Sequence, residues 1–192
     1  MFCKYGIKSV SMDDVAREIG VSKKTVYLFF KDKEDLVLKS LEHIQASHLD
    51  WIQNLPRDQY NAVEEVLEIN RKIREIFGGS TPVIDFDLRK YYPKLHKKVN
   101  ANHDEVVLSM METNIEKGRK EGLFRSDFDA RLISVLHYRK AFDVISSFEP
   151  DEVNSRMDAM KQIIEYHLRG MCTPKGIEEL EKYNQKHTTN EK

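Results

Sequence analysis

The chain is poor in the residues that build cross-linked or turn-rich folds. Its 192 residues include two cysteines, Cys3 and Cys172, and neither sits in a CxxC pair. That excludes a disulfide framework and the thiolate zinc motifs, so both are read as reduced thiols. Eight glycines and five prolines leave little punctuation for many short strands, and nothing alternates apolar and polar residues as a half-buried strand does. No apolar run approaches the ~20 residues that cross a bilayer, and no charged-then-apolar leader opens the chain, so a cytoplasmic protein with no membrane partner is expected. Catalytic signatures are missing too. There is no GxSxG, no glycine-rich phosphate loop and no HExxH, and therefore neither an enzyme nor a cofactor is expected. His43 and His48 are spaced so that they do not share a helix face as an i, i+4 pair does, and no metal site is expected.

What remains is helical. Hydrophobic residues make up 40% and charged residues 33% of the chain, and the apolar positions recur with helical spacing. One long helix is predicted from residue 33 to about 54, ended by Pro56, and another from about Asp58 to Phe77, stopped by Gly78-Gly79-Ser80. Thr81-Pro82 opens a short helix to about Tyr91. Pro93 starts a long one reaching Gly118 or Gly122. A helix capped by Asp127 or Asp129 runs to about Ser147, another from Glu149-Pro150-Asp151 to about Met171, and a last, mostly polar one from Thr173-Pro174 to Tyr183. Net charge is −1, but residues 1–33 hold seven Lys or Arg against four Asp or Glu, so positive charge gathers at the amino end.

That end carries the most informative stretch, SVSMDDVAREIGVSKKTVYLFFKDKED at 9–35. Ser11 and Asp14 have capping-box spacing, and Met12, Val15, Ala16 and Ile19 recur on one helix face. Gly20 suits a tight left-handed turn. Val21 can plug the corner, and Ser22 can cap a second helix that buries Val26, Phe29 and Phe30. The spacing is that of a helix-turn-helix. In this motif the start of the second helix enters the major groove. Lys23, Lys24, Thr25, Tyr27 and Leu28 face outward there, and such side chains neutralise phosphates, donate to base edges or touch thymine methyls. Asp32 caps a third helix whose first residue, Lys33, is placed for a phosphate.

The run GVSKKTVYLFFKDKEDL resembles the signature of the TetR family of transcriptional regulators. It has the valine-serine pair after the turn glycine, a Thr-hydrophobic-Tyr triplet, an aromatic pair and a Lys-x-Lys-Glu/Asp-x-Leu start to the next helix. The likeness covers residues 6 to about 44, with a weaker echo in EKGRKEGLFRSDFD at 116–129. It implies an all-α fold with an N-terminal helix-turn-helix DNA-binding domain, 1–45, and a larger C-terminal domain, 46–192, for dimerisation and ligand binding. It also implies a homodimeric repressor released from a palindromic operator by an effector. The DNA-binding set is then Ser11, Ser22, Lys23, Lys24, Thr25, Tyr27, Leu28 and Lys33. One departure stands out: only MFCKY precedes Gly6, where the family carries most of a first helix, so that either the native chain is longer or DNA binding is weakened, although Phe2 can still pack beneath the motif.

The apolar stripe Val153, Met157, Met160, Ile164, Leu168 and Met171, with its neighbour at 127–147, needs cover and points to a dimer interface across 127–171. Trp51, Phe86, Met110, Met111, Tyr138 and Phe142 are candidates for the pocket of a small, partly apolar effector. The rival expectation is a helical interaction or sequestering protein that keeps the motif without effective DNA binding.

Overall fold

The computed structural model describes residues 1–77, 87–145, 147–148 and 152–188. It is helical throughout, and among the described residues the one extended pairing is an isolated antiparallel bridge between Phe124 and Cys172. The elements are α1 (Phe2–Tyr5), α2 (Met12–Glu18), α3 (Lys23–Phe29), α4 (Lys33–Gln53), a 3-10 turn (Arg57–Gln59), α5 (Ala62–Phe77), α6 (87–91), α7 (Pro93–Lys120), α8 (Ala130–Ile145), α9 (Val153–Met171) and α10 (Pro174–Thr188). The helix expected to start at Thr81-Pro82 and the start expected at Glu149-Pro150-Asp151 fall outside the described residues.

Two compact units divide the chain: Met1–Asn54 with Gly79–Asp104, and Leu55–Gly78 with Glu105–Lys192. In the first, Met12, Ala16, Val26 and Leu36 form a small buried cluster under the helix-turn-helix, with Phe2, Val15 and Phe30 packed against it. A second cluster joins Ile7, Val37 and Leu41 to Leu88, Leu95 and Val99, again with Phe2 at its edge. The single turn of α1 is thus held by the ring of Phe2 bridging two clusters, because four residues cannot sustain a helix by their own hydrogen bonds. All of α4 lies in this unit, whereas α7 passes from the first unit into the second.

The core of the second unit brings together Ala62 and Val63 of α5, Ile115 of α7, Leu123 and Phe124, Ile164, Leu168 and Met171 of α9, and Leu180 of α10. The C-terminal half of the α9 stripe packs inside its own chain: Ile164, Leu168 and Met171 are core residues, while Met157 and Met160 are half-buried. What α8 and α9 turn outward instead is Leu132, Leu136, Val144 and Tyr166. The last helix is a core element and not a polar tail. It reaches Thr188, buries Leu180 completely, and approaches so closely at Gly176 that an added Cβ would lie 2.2 Å from the Leu123 carbonyl oxygen.

The buried carboxylate Glu65 of this unit is paired. Glu65, 1% exposed, accepts from the Lys117 ammonium at 2.9 Å. The same ammonium donates to the Arg57 and Tyr60 carbonyls at 2.7 and 2.6 Å, tying the 3-10 turn to α7. A buried charge is tolerated when its remaining hydrogen-bonding capacity is met in this way.

Candidate nucleic-acid interface

The support helix starts as the sequence predicts. Ser11 Oγ accepts from the Asp14 amide at 3.1 Å, while Asp14 Oδ2 accepts from the Ser11 amide at 3.0 Å and from its hydroxyl at 2.6 Å. These bonds from Ser11 hold the Asp14 carboxyl below its ordinary pKa, aided by the charges of Arg17 and Lys33. The Ser11 side chain is thus committed to the cap. Gly20 has φ +71°, a left-handed conformation that a side chain would strain, and the Val21 amide donates to Ala16 at 3.0 Å. Ala16, almost fully buried, is the small residue that lets α2 and α3 cross.

Three apolar expectations fail here. Ile19 is 61% exposed, because α2 ends at Glu18 and Ile19 already belongs to the turn, with ψ near 4°. Phe29 is 69% exposed, because a helix of only two turns has one inward line. That line is Val26 and Phe30, i and i+4, with Phe30 swung in by its extended backbone. Val21 is likewise exposed and does not seal the corner.

Ser22 caps α3 by accepting from the Thr25 amide at 3.0 Å, and the two hydroxyls share a bond of 2.8 Å. Lys23 lies against Asp13 of α2 at 2.8 Å; that hydrogen bond and charge raise its pKa and offset part of its positive field. Lys24 is exposed and makes no hydrogen bond or ion pair with a described residue. Tyr27 and Leu28 follow on the same open side, 45% and 73% exposed. Lys24, Tyr27 and Leu28 are thus the exposed side of α3, with Thr25 half-covered and Ser22 and Ser11 occupied as caps.

Lys33 is placed differently from an open phosphate clamp. Asp32 caps α4 through the Asp35 amide at 2.9 Å, but the Lys33 ammonium points back to the Lys8 carbonyl at 3.4 Å. Partial burial lowers its pKa, against the opposing charges of Asp87 and Asp14. Asp87 in turn accepts from the Lys8 amide at 3.0 Å. The sequence offers no signal for this Lys8–Asp87 link, since a carboxylate 79 residues away has no local pattern to betray it. The Asp13–Lys23 pair is closer to legible, because the helix-turn-helix geometry brings the two helix starts together.

The effector candidates gather less well. Met110 and Met111 on α7 and Tyr138 on α8 are half-buried in the second unit, while Trp51 belongs to the first. Phe86 and the Phe142 side chain lie outside the described residues. Among the described residues no group of three or more His, Cys, Asp and Glu side chains is arranged for a metal, and no helix is long and apolar enough to cross a membrane. Cys172 is buried, and desolvation pushes its thiol up to about 11, away from thiolate reactivity.

A short capped helix standing on a small core, with lysine, tyrosine and leucine on its open side, defines a helix-turn-helix DNA-binding protein. Residues 1–39 match the family of bacterial regulatory proteins described as the tetR family. An HTH-type transcriptional regulator of Staphylococcus aureus (strain USA300) is 30% identical over 156 residues, covering 72% of this chain and 82% of that protein. The chain belongs to the TetR family, and it is a DNA-binding transcriptional regulator. The fatty acid metabolism regulator protein of Bacillus subtilis is 22% identical over 133 residues, 66% of either chain. Among solved structures, the fold is similar to that of reduced NemR from E. coli, with TM-score 0.71, 13% identity and coverage of 90% and 91%. It is also similar to FadR from Bacillus subtilis in complex with stearoyl-CoA, with TM-score 0.70, 18% identity and coverage of 88% and 92%.

Proposed function

We propose that the protein is a ligand-responsive repressor that binds a palindromic operator as a homodimer. Residues 1–45 form the DNA-binding domain and 46–192 the domain for dimerisation and effector binding. The observation that carries the reading is α3, whose Lys24, Tyr27 and Leu28 stand free on the side that a major groove meets, while its other side is fixed by Val26. Ser11, Ser22, Lys23, Thr25 and Lys33 complete the DNA-facing set, with Ser11, Ser22 and Lys33 acting by holding the reading helix in register as much as by touching DNA.

Dimerisation runs through residues 127–171. It is supported by the exposed Leu132 and Leu136 of α8 and Tyr166 of α9, which a second copy related by a two-fold axis can cover. Two reading helices about one turn of DNA apart, roughly 34 Å, then double the contact set of a motif too small to bind tightly alone. The effector is a small, partly apolar molecule, a reading supported by the stearoyl-CoA in the similar FadR structure. It acts by preferring the dimer whose reading helices are wrongly spaced, and the shift it can cause is limited by its difference in affinity for the two forms.

Selection from random duplex DNA tests this reading. Enrichment of a palindrome with half-sites one helical turn apart is the expected result. No enrichment under low salt, with a folded protein, overturns it and favours a sequestering role.

A further inference from the structure

The second unit holds a cavity of about 400 Å3 where α5, α9 and α10 face one another. Its floor is apolar: Leu67, Met160, Ile164 and Leu180 line it, and Ile164 and Leu180 are core residues. Its walls are polar, and most of their charges are already matched. Arg71 donates to Glu68 at 2.7 and 3.1 Å and also pairs with Glu75. Glu165 is held by Arg169 at 2.7 Å. Tyr183 donates to Glu68 at 2.7 Å and stacks on His187, whose Nδ1 lies 2.9 Å from the Tyr183 carbonyl oxygen.

Two positive charges are left over. Arg74 of α5 and Lys161 of α9 both line the cavity, and neither makes a hydrogen bond or ion pair with a described residue. Arg74 lies in the last turn of its helix, where the dipole favours a cation. Lys161 is in the middle of α9, where helix-end electrostatics contribute nothing. Two unmatched cations from separate helices beside one apolar floor therefore call for a molecule with both an anionic group and a hydrocarbon body. Inorganic phosphate would answer the cations and leave the floor wet, and a neutral hydrocarbon would do the reverse. The volume is at the small end of the ~300–1,000 Å3 typical of ligand sites.

We propose that this cavity binds a small amphiphilic anion, a carboxylate on a short hydrocarbon body. Arg74 and Lys161 hold the carboxylate, and Leu67, Met160, Ile164 and Leu180 hold the hydrocarbon. The proposal deepens the reading of a partly apolar effector, but it uses none of Trp51, Phe86, Met110, Met111, Tyr138 or Phe142.

Calorimetric titration of the full chain with octanoate, 1-octanol and inorganic phosphate tests it. Octanoate binds at least tenfold more tightly than either of the others, and Arg74→Met and Lys161→Met each weaken it at least fivefold. Met160→Trp, which fills the floor without removing charge, weakens it as well. Lys161 is exposed, so its variant keeps the fold even where a change at Arg74 does not. Octanoate binding no tighter than octanol or phosphate overturns the proposal, as does undiminished binding in the folded Lys161→Met and Met160→Trp variants. Operator titrations with and without octanoate report separately on the effector reading, whose failure would leave the cavity assignment standing.

Discussion

The amide of Lys8 donates to the carboxylate of Asp87 at 3.0 Å, across 79 residues of sequence. The Lys8 carbonyl accepts from Lys33. One peptide segment beside the helix-turn-helix is thereby held at both of its polar groups by α4 and α6. Asp87 is 8% exposed, so removing its side chain leaves a cavity and takes the partner from the Lys8 amide in a part-buried bond. Asp87→Ala is expected to cost about 1–3 kcal/mol of stability and to weaken operator binding without touching DNA. Chemical denaturation together with operator titration checks this, and a variant as stable as the parent would show that the link is idle.

Lys24 of α3 and Lys33 of α4 should differ. Lys24 is free, so Lys24→Ala reduces the slope of log affinity against log salt by about one unit. Lys33 is partly buried and turned toward Lys8, so Lys33→Ala weakens binding with a smaller change in slope. Equal slope changes in fluorescence titrations over a salt series would mean that Lys33 reaches a phosphate after all.

Tyr27→Ala is expected to weaken specific operator binding by about 1–3 kcal/mol, the worth of one good base or phosphate contact. Because the ring is 45% exposed, the melting temperature should change little. A large loss of stability would reassign Tyr27 to the core.

His137 of α8 and His167 of α9 stack with centroids 3.8 Å apart. Burial pushes His137 down to about 4 and His167 to about 3, with the neighbouring His137 charge also lowering the latter. Both folded values lie below the unfolded value near 6.5, so between pH 6.5 and about 4 the unfolded chain binds more protons. Stability is then full above pH 6.5 and falls as the solution is acidified through that window, by at most about 1.4 kcal/mol per pH unit for each histidine. Melting curves from pH 7.5 to 4.5 measure it. Phe at both positions, which keeps two stacked rings but cannot charge, should flatten the profile, and an unchanged profile would move the effect elsewhere.

Ser134 is fully buried, and its hydroxyl has no hydrogen-bond partner among the described residues. Ser134→Ala should leave stability equal or raise it, by up to about 1 kcal/mol, because the desolvated hydroxyl costs what it does not regain. A loss in thermal denaturation would reveal a partner for it.

Local chemistry was legible along the chain. The caps Ser11, Ser22 and Asp32, the turn at Gly20, the start of α7 at Pro93 and the end of α9 at Met171 all follow from hydrogen-bonding groups and backbone preferences that act within one turn of helix. The signature at 6–44 carried the family for the same reason, since a helix-turn-helix is built from short-range spacing. Periodicity could not say which apolar face meets which neighbour. Ile19 continues a helical pattern that ends one residue too soon to bury it, and Phe29 lies off the single inward line of α3. The C-terminal half of the α9 stripe, Ile164, Leu168 and Met171, packs with Ala62, Val63 and Leu180 of the same chain. The last helix looked polar because its charged residues outnumber Ile177 and Leu180, yet those two suffice to dock it.

By itself the sequence determined the helical class, the caps at Ser11, Ser22 and Asp32 and the turn at Gly20, because these depend on interactions among near neighbours. Only the tertiary structure decided that Lys33 faces Lys8 and Asp87, that Lys23 shares its charge with Asp13, and that Arg74 and Lys161 stand unmatched over one cavity. Each of these depends on which distant groups share a desolvated space, and that is settled by packing.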